Sequence, residues 1–492
     1  MRLLLATVIL AAFLVPCSTR ADDAQTVLAK NKAFAGWVFG DPSMNGLRLT
    51  GTSGTEALTD LRRGAVWRRI VTNENTKLSY GYGFTGQRFW FSNENGFVVP
   101  LLGDAIKYRV AYAVVMNQGI PGLSGTLRGT ASVGGAQTQI VRVEPPSGFP
   151  IDAYIDSSGK LVRAVIDPDG SAVPIEILGY ADLDGKKIIS KWKIGALTSE
   201  FTKLEHANVA DAEFHPPAPS ASWTFGPPVE LPISVTNDRI FINASINGVA
   251  GRFALDSGDG AISLNSDFAD RAKVKSIAPA ASYGVNGVVH TSLGRADTIQ
   301  IGPHVLHDVV VLTGINVHGT RQDFDGLLGF DFLAGAIVDV DQAKQRMTIY
   351  DPRSHAVTAS GPVVLADLTS GTPTVPATFD GRVKAHLTFD TGDPMAVLAS
   401  DKLYGPGKVT LRIEGYANLS GVGGTSAESS PCGHSQSIEL GAIKYEHIPI
   451  CFVKGDALFG NDRGIIGLDF IKHFNLTFDY PNSRLYLSPN GK

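Results

Sequence analysis

Cysteine is scarce in this chain: 492 residues hold three, Cys17, Cys432 and Cys451. A zinc reading through His434 is therefore short of two further spaced ligands. Charge is sparse as well. Charged residues make up 18% and the formal net charge is −4, with the signs interspersed. No basic tail or patch stands out, which argues against a nucleic-acid partner. After the first sixteen residues no apolar run is long enough to span a bilayer. There is no Gly-x-Ser-x-Gly elbow, and no phosphate loop ending in Gly-Lys-Ser/Thr. Glycine, by contrast, is plentiful at 54 residues, and apolar residues reach 43%. That balance predicts real cores built from many turns and short strands, a mainly β protein. The length predicts two or three domains.

The N-terminus reads as a secretory signal over residues 1–21. Arg2 supplies the positive start, Leu3 to Pro16 the apolar run, and Thr19-Arg20-Ala21 the small residues for cleavage before Asp22. The alternative is an uncleaved anchor, for which the run is short. Pro16 stands where a lipoprotein signal before Cys17 needs a small residue. Export to the periplasm or beyond is the expectation. Cys432 and Cys451 are then expected to pair as a disulfide, two free buried thiols being the alternative.

Residues 22–214 read as a β-rich N-terminal domain. A helix is predicted over Asp23 to Ala35, with Ala24, Val27, Leu28 and Ala33 on one side. Strands are predicted at 65–71, 87–92, 137–143, 151–155, 161–166 and 187–193, with Ser157-Ser158-Gly159 as a hairpin turn. Asp167-Pro168-Asp169-Gly170 and Asp182-Leu183-Asp184-Gly185 lack the glutamate of a calcium loop and read as turns. An initial helix followed by a long meander resembles lipoprotein-carrier domains, which implies a curved antiparallel sheet and contact with lipid or envelope partners. Residues 215–229 form a Pro-rich linker, in which Trp223 and Phe225 are candidates to pack on a neighbour.

The most informative pattern is written twice. Phe253-Ala254-Leu255-Asp256-Ser257-Gly258-Asp259 recurs as Leu387-Thr388-Phe389-Asp390-Thr391-Gly392-Asp393. Each copy leads to an apolar pair closed by glycine, Leu327-Leu328-Gly329 and Ile465-Ile466-Gly467. Asn247-Gly248 and Asp380-Gly381 mark a hairpin turn before each copy, and a strand pair closes each unit. A whole unit repeats, giving lobes at 230–355 and 360–490. One carboxylate per unit, joined by pseudo-two-fold packing, would make a paired-carboxylate site.

This duplicated motif resembles the aspartic proteases of the pepsin and retropepsin type, with two lobes in tandem in one chain. The resemblance implies a double-lobed β fold with Asp256 and Asp390 as the catalytic dyad. Ser257, Gly258, Thr391 and Gly392 would support it, a peptide or protein would be the substrate, and no metal or cofactor would be needed. In that family two adjacent carboxyls share one proton, so that one activates water and the other polarises the carbonyl. Asp259 and Asp393 stand where the family has Ser or Ala, and like charge there would raise the dyad's pKa values. Tyr283 and Tyr416 precede the glycine-rich hairpins as candidate flap tyrosines or core residues. His290, His304, His307 and His318 read as turn or surface residues. Two lobes in one chain predict a monomer and a self-sufficient stretch 229–492. Three functions stay open: an endopeptidase, a catalytically silent peptide-binding cleft, and an acyl carrier acting through residues 22–214.

Overall fold

The computed structural model describes residues 23–167, 172–236, 239–284, 287–315, 324–358, 361–421, 424–425, 429–454 and 463–491. The signal segment 1–21, residues 168–170 of the first Asp-rich turn, His318, and the hairpin tips 285–286 and 422–423 lie outside the described residues. Strand accounts for 53% and helix for 13%, which is the mainly β class expected.

The N-terminal region is one antiparallel sheet of thirteen strands. Leu47–Ser53 to Val98–Pro100 form one meander and Gly125–Val133 to Leu197–His206 another; the two join where Leu47–Ser53 pairs with Leu197–His206. Register shifts beside Gly51, Gly129 and Gly179 bend the sheet. The first helix, Ala24–Ala35, starts where the Asp23 carboxylate accepts a hydrogen bond from the Thr26 N–H (2.7 Å) and stops at Gly36, φ 76°. Its buried side is Ala24, Val27, Leu28, Asn31 and Ala35. The expected Ala33 is exposed. Asn31 joins the buried face because its amide donates to the Gly159 carbonyl (2.8 Å) and accepts from Gln118 (2.9 Å). A second helix, Gly103–Met116, shares the apolar cluster of the first through Ala111, Tyr112, Val115 and Met116. Under the sheet, Asp60 stands opposite Arg69 in the strand ladder and also pairs with Arg62 (3.1 Å), a buried ion cluster.

The two C-terminal repeats fold alike. Ile240–Ile246 and Val249–Leu255 form a hairpin through Asn247 (φ 49°) and Gly248 (φ 80°). Thr374–Phe379 and Val383–Phe389 form the matching one through Asp380 (φ 52°) and Gly381 (φ 64°). Positive φ at both central residues is the hairpin geometry that Asn-Gly and Asp-Gly favour. The closing strand pairs of the two lobes meet each other, Ile337–Asp341 running antiparallel to Phe474–Asp479 with Val338 opposite Phe478. One sheet therefore passes from lobe to lobe. In the second lobe Cys432 and Cys451 face each other across a ladder and are bonded.

The N-terminal sheet is fused to this pair of lobes. The Asn95 side chain imitates a strand: its Nδ2 donates to the Val310 carbonyl (2.9 Å) and its Oδ1 accepts the Val310 N–H (2.8 Å). Asn93 Nδ2 donates to Asp331 Oδ1 (2.6 Å), both residues being buried. Within the Pro-rich stretch, Ser222–Thr224 adds as a strand to His304–Thr313. Trp223 stacks on Phe225 and leans on Phe332. As a result Phe91, Phe97, Val99, Leu101, Ala105 and Ala221 belong to the same continuous apolar core as both lobes. Among the described residues no helix is long and apolar enough to cross a membrane.

Candidate active site

Each aspartate leaves a buried strand at the point where another strand runs beside it in parallel. Val249–Leu255 pairs with Gly326–Leu328, and the Asp256 N–H donates to the Leu328 carbonyl (3.1 Å). Val383–Phe389 pairs with Arg463–Ile466, and the Asp390 N–H donates to the Ile466 carbonyl (2.9 Å). Gly329 and Gly467 lie so near the turns that a methyl group on either would strike the carbonyl oxygen of Asp259 or Asp393. Close approach is what both glycines permit.

The hydroxyl residues lock the lobes reciprocally. Ser257 Oγ donates to the Phe389 carbonyl (2.6 Å) and accepts the Thr391 N–H (3.1 Å). Thr391 Oγ1 donates to the Leu255 carbonyl (2.8 Å) and accepts the Ser257 N–H (3.1 Å). Both hydroxyl residues are fully buried. This brings the aspartates face to face: a methyl group on Gly258 would collide with the Asp390 carboxyl, and one on Gly392 with that of Asp256. Replacing Ser257 and Thr391 together by alanine leaves buried backbone groups unpaired, at about 1–3 kcal/mol each. Urea unfolding of the double variant is expected to show a loss of several kcal/mol; a loss below about 1 kcal/mol would show that contacts elsewhere hold the lobes.

The electrostatics follow from burial and crowding. Burial, then the charges of Asp390 and Asp259, push Asp256 well above the usual carboxyl range. Burial raises Asp390 too, while the Gly392 N–H and a hydrogen bond from Asp256 pull it back. Two carboxyls this close resist ionising together. Asp259 and Asp393 are each raised to about 7, first by burial and also by the charge of Asp390. Each also serves its own turn: Asp259 Oδ1 accepts the Ala261 N–H (3.2 Å) and Asp393 Oδ1 the Met395 N–H (2.8 Å). Asp259 therefore caps its turn and loads Asp256 at once, while Asp393 caps its turn and is itself raised by the charge of Asp390.

Other expected residues fall elsewhere. Tyr416 is 68% exposed on Ile413–Ala417, so it is no core residue; Tyr283 lies in Lys275–Gly284. His304 is fully buried rather than at the surface, His290 is exposed, and His307 bonds Thr224 (3.0 Å). His434 stacks on His447 and bonds Glu414 (2.9 Å). Among the described residues no group of three His, Cys, Asp or Glu side chains is placed to hold a metal.

Three further contributors lie outside the Asp-Ser/Thr-Gly turns. Arg239 draws down Asp256, Asp390 and Asp393 by its charge. Tyr480 is wholly buried, and after burial itself the charges of Asp390 and Asp256 drive its hydroxyl well above the ordinary value. Asp331, bound by Asn93, is raised to about 7 by burial, and the charges of Glu94 and Asp259 add to the rise. No motif marks Arg239 or Tyr480 in the sequence, whereas Asp331 recurs as Asp469 in the glycine-closed segments.

No curated protein matches the chain. Among solved structures, a similar chain is that of a DUF1329 family protein from Desulfovibrio piger, at 9% identity. The match covers 39% of this chain and 95% of that one with a TM-score of 0.29, a score too low to assign a fold by. Residues 242–332, which include Asp256-Ser257-Gly258 and the glycine-closed segment behind it, match the family model described as aspartyl protease, so this part of the chain is aspartyl-protease-like.

Proposed function

We propose that the protein is an exported aspartic endopeptidase in which Asp256 and Asp390 hydrolyse peptide bonds. The observation that carries this reading is the reciprocal Ser257–Thr391 lock, which sets the two aspartate turns against each other. Asp390, ionised, takes a proton from water as its oxygen attacks the scissile carbonyl carbon; Asp256 gives its proton to the carbonyl oxygen. The tetrahedral diol then collapses. Asp390 passes its proton to the departing nitrogen, the C–N bond breaks, and a diol hydroxyl returns a proton to Asp256. Both carboxyls end as they began. Export is supported by Arg2 with the run to Pro16 and by the Cys432–Cys451 bond, which suits an oxidising compartment.

A catalytically silent peptide-binding cleft is the second reading, and Asp259 with Asp393 favours it, because two further carboxyls beside the dyad change its charge. Cleavage of a peptide library across about pH 3–8 separates the two. Wild type is expected to yield products, and Asp256→Asn to lose at least about a thousandfold in rate. Peptide binding without products at any pH would establish the silent cleft instead.

A further inference from the structure

In the N-terminal sheet two buried cations share one carboxylate. The side chains of Asp60, Arg62 and Arg69 are only 5%, 7% and 6% exposed. Asp60 accepts from Arg62 Nε (3.1 Å) and from Arg69 Nε (3.0 Å). Arg62 Nη1 also donates to the Met116 carbonyl (2.9 Å), and Arg69 Nη1 to the hydroxyls of Tyr112 and Tyr82. These further acceptors are uncharged, and burial drives the Tyr112 hydroxyl well above its ordinary range. Among the described residues no second carboxylate pairs with either arginine. The rings of Trp192, 5.0 Å from Arg69, and Phe201, 5.7 Å from Arg62, soften the charge without cancelling it. The cluster therefore holds a surplus positive charge. Burying an uncompensated charge is costly, so the surplus calls for a counter-ion.

The same residues line a recess. Asp60, Arg62, Trp67, Arg69, Tyr112 and Met116 bound it, and its free volume is about 240 Å³, partly open to solvent. The part clear of every wall holds a single water-sized group. Asn117 reaches the recess from the end of the helix Gly103–Met116, and its Oδ1 is buried without a partner. The same amide turned end for end offers its N–H groups there. The terminal nitrogens of both arginines likewise carry more N–H groups than their bonds use. We propose that this recess binds one small monovalent anion, a halide or the carboxylate of a small acid, held by Arg62 and Arg69. Such an anion brings the cluster to neutrality, two guanidiniums facing two negative charges. Bonds from arginine to an anion are of the strong, charge-assisted kind. A phosphate brings more charge than the surplus and more atoms than the space admits. The site belongs to the N-terminal domain and stands whether or not the protein cleaves peptides.

Chlorine-35 NMR of chloride in the presence of the full chain tests the site, with gluconate, too large for the recess, keeping the ionic strength fixed. Wild type is expected to broaden the chloride line, and added formate to remove that excess. Arg62→Gln takes away a charged donor and is expected to bind chloride about tenfold or more weakly. Asp60→Asn enlarges the surplus charge and is expected to bind it more tightly, which decides the matter should the glutamine variant fail to fold. Formate that competes at concentrations below those of chloride assigns the site to a carboxylate, and weaker competition assigns it to a halide; either result upholds it. No competable broadening in wild type, or the same broadening in the variants as in wild type, would overturn the proposal.

Discussion

Made without the residues that precede it, the stretch 229–492 is expected to collect in the insoluble fraction. The sequence suggests otherwise, because the two repeats complete each other. The structure places Phe91, Phe97, Val99, Leu101, Ala105 and Ala221 inside the lobes' own core. Burying one large apolar side chain contributes about 1.5–3 kcal/mol. Losing this group is comparable with the whole net stability of a domain, about 5–15 kcal/mol. Val310 would also lose both bonds to Asn95. Solubility and a thermal melt of the shortened chain decide the matter. A soluble fragment melting cooperatively near the full-length temperature would show that the N-terminal sheet is dispensable.

Melting temperature should fall as pH rises from about 5 to 8, and the cause is one buried and two half-buried carboxyls. Asp259, Asp331 and Asp393 are each raised from 3.8 to about 7. A carboxyl whose folded pKa is raised stabilises fully below its unfolded value, and that stabilisation is lost as pH climbs through the folded value. The window therefore runs from about pH 4 to 7. The loss is of order 2–4 kcal/mol per group, with Asp259 and Asp393 toward the lower end because they keep some solvent contact. Asp331→Asn should flatten part of the fall while keeping an acceptor for Asn93. A melting temperature that holds level or rises between pH 5 and 8 would refute the assignment. Hydrolysis should follow the same chemistry. As Asp259 and Asp393 ionise they delay loss of the dyad's proton, so the optimum is expected at about pH 5–6. Asp259→Ser with Asp393→Ser should draw the alkaline limb downward. An unchanged profile in that double variant would detach both residues from the dyad.

The parts of this molecule that are legible in its sequence are those where backbone geometry demands particular residues. Asn247-Gly248 and Asp380-Gly381 announce their hairpins because both central φ values are positive. The Asp-Ser/Thr-Gly turns are legible because glycine must lie against the opposite carboxyl. The expected strand over 161–166 is the observed Leu161–Ile166, with Ser157-Ser158-Gly159 as the turn before it. Gly103–Met116 is not announced in this way. Its run of Val, Tyr and Ala is apolar on too many sides to show a helical stripe, since one face meets the sheet and its start meets lobe two through Asp104 and His386 (3.6 Å). Arg239, Asp331 and Tyr480 are hidden for another reason. Each acts across a distance in sequence that only the closed fold removes; Arg239 and Tyr480 belong to no short pattern, and Asp331, though it recurs as Asp469 behind the glycine-closed segments, gives no sign there of its partner Asn93.

The reciprocal lock between Ser257 and Thr391 also sets a timetable. A chain made from its N-terminus has the first aspartate in place long before the second exists, and domains tend to fold in the order they emerge. The first turn cannot satisfy its own backbone until Thr391 arrives, 134 residues later. The central sheet is incomplete until Phe474–Asp479 pairs with Ile337–Asp341. The half-made protein therefore carries its first aspartate turn unpaired until synthesis has passed both lobes.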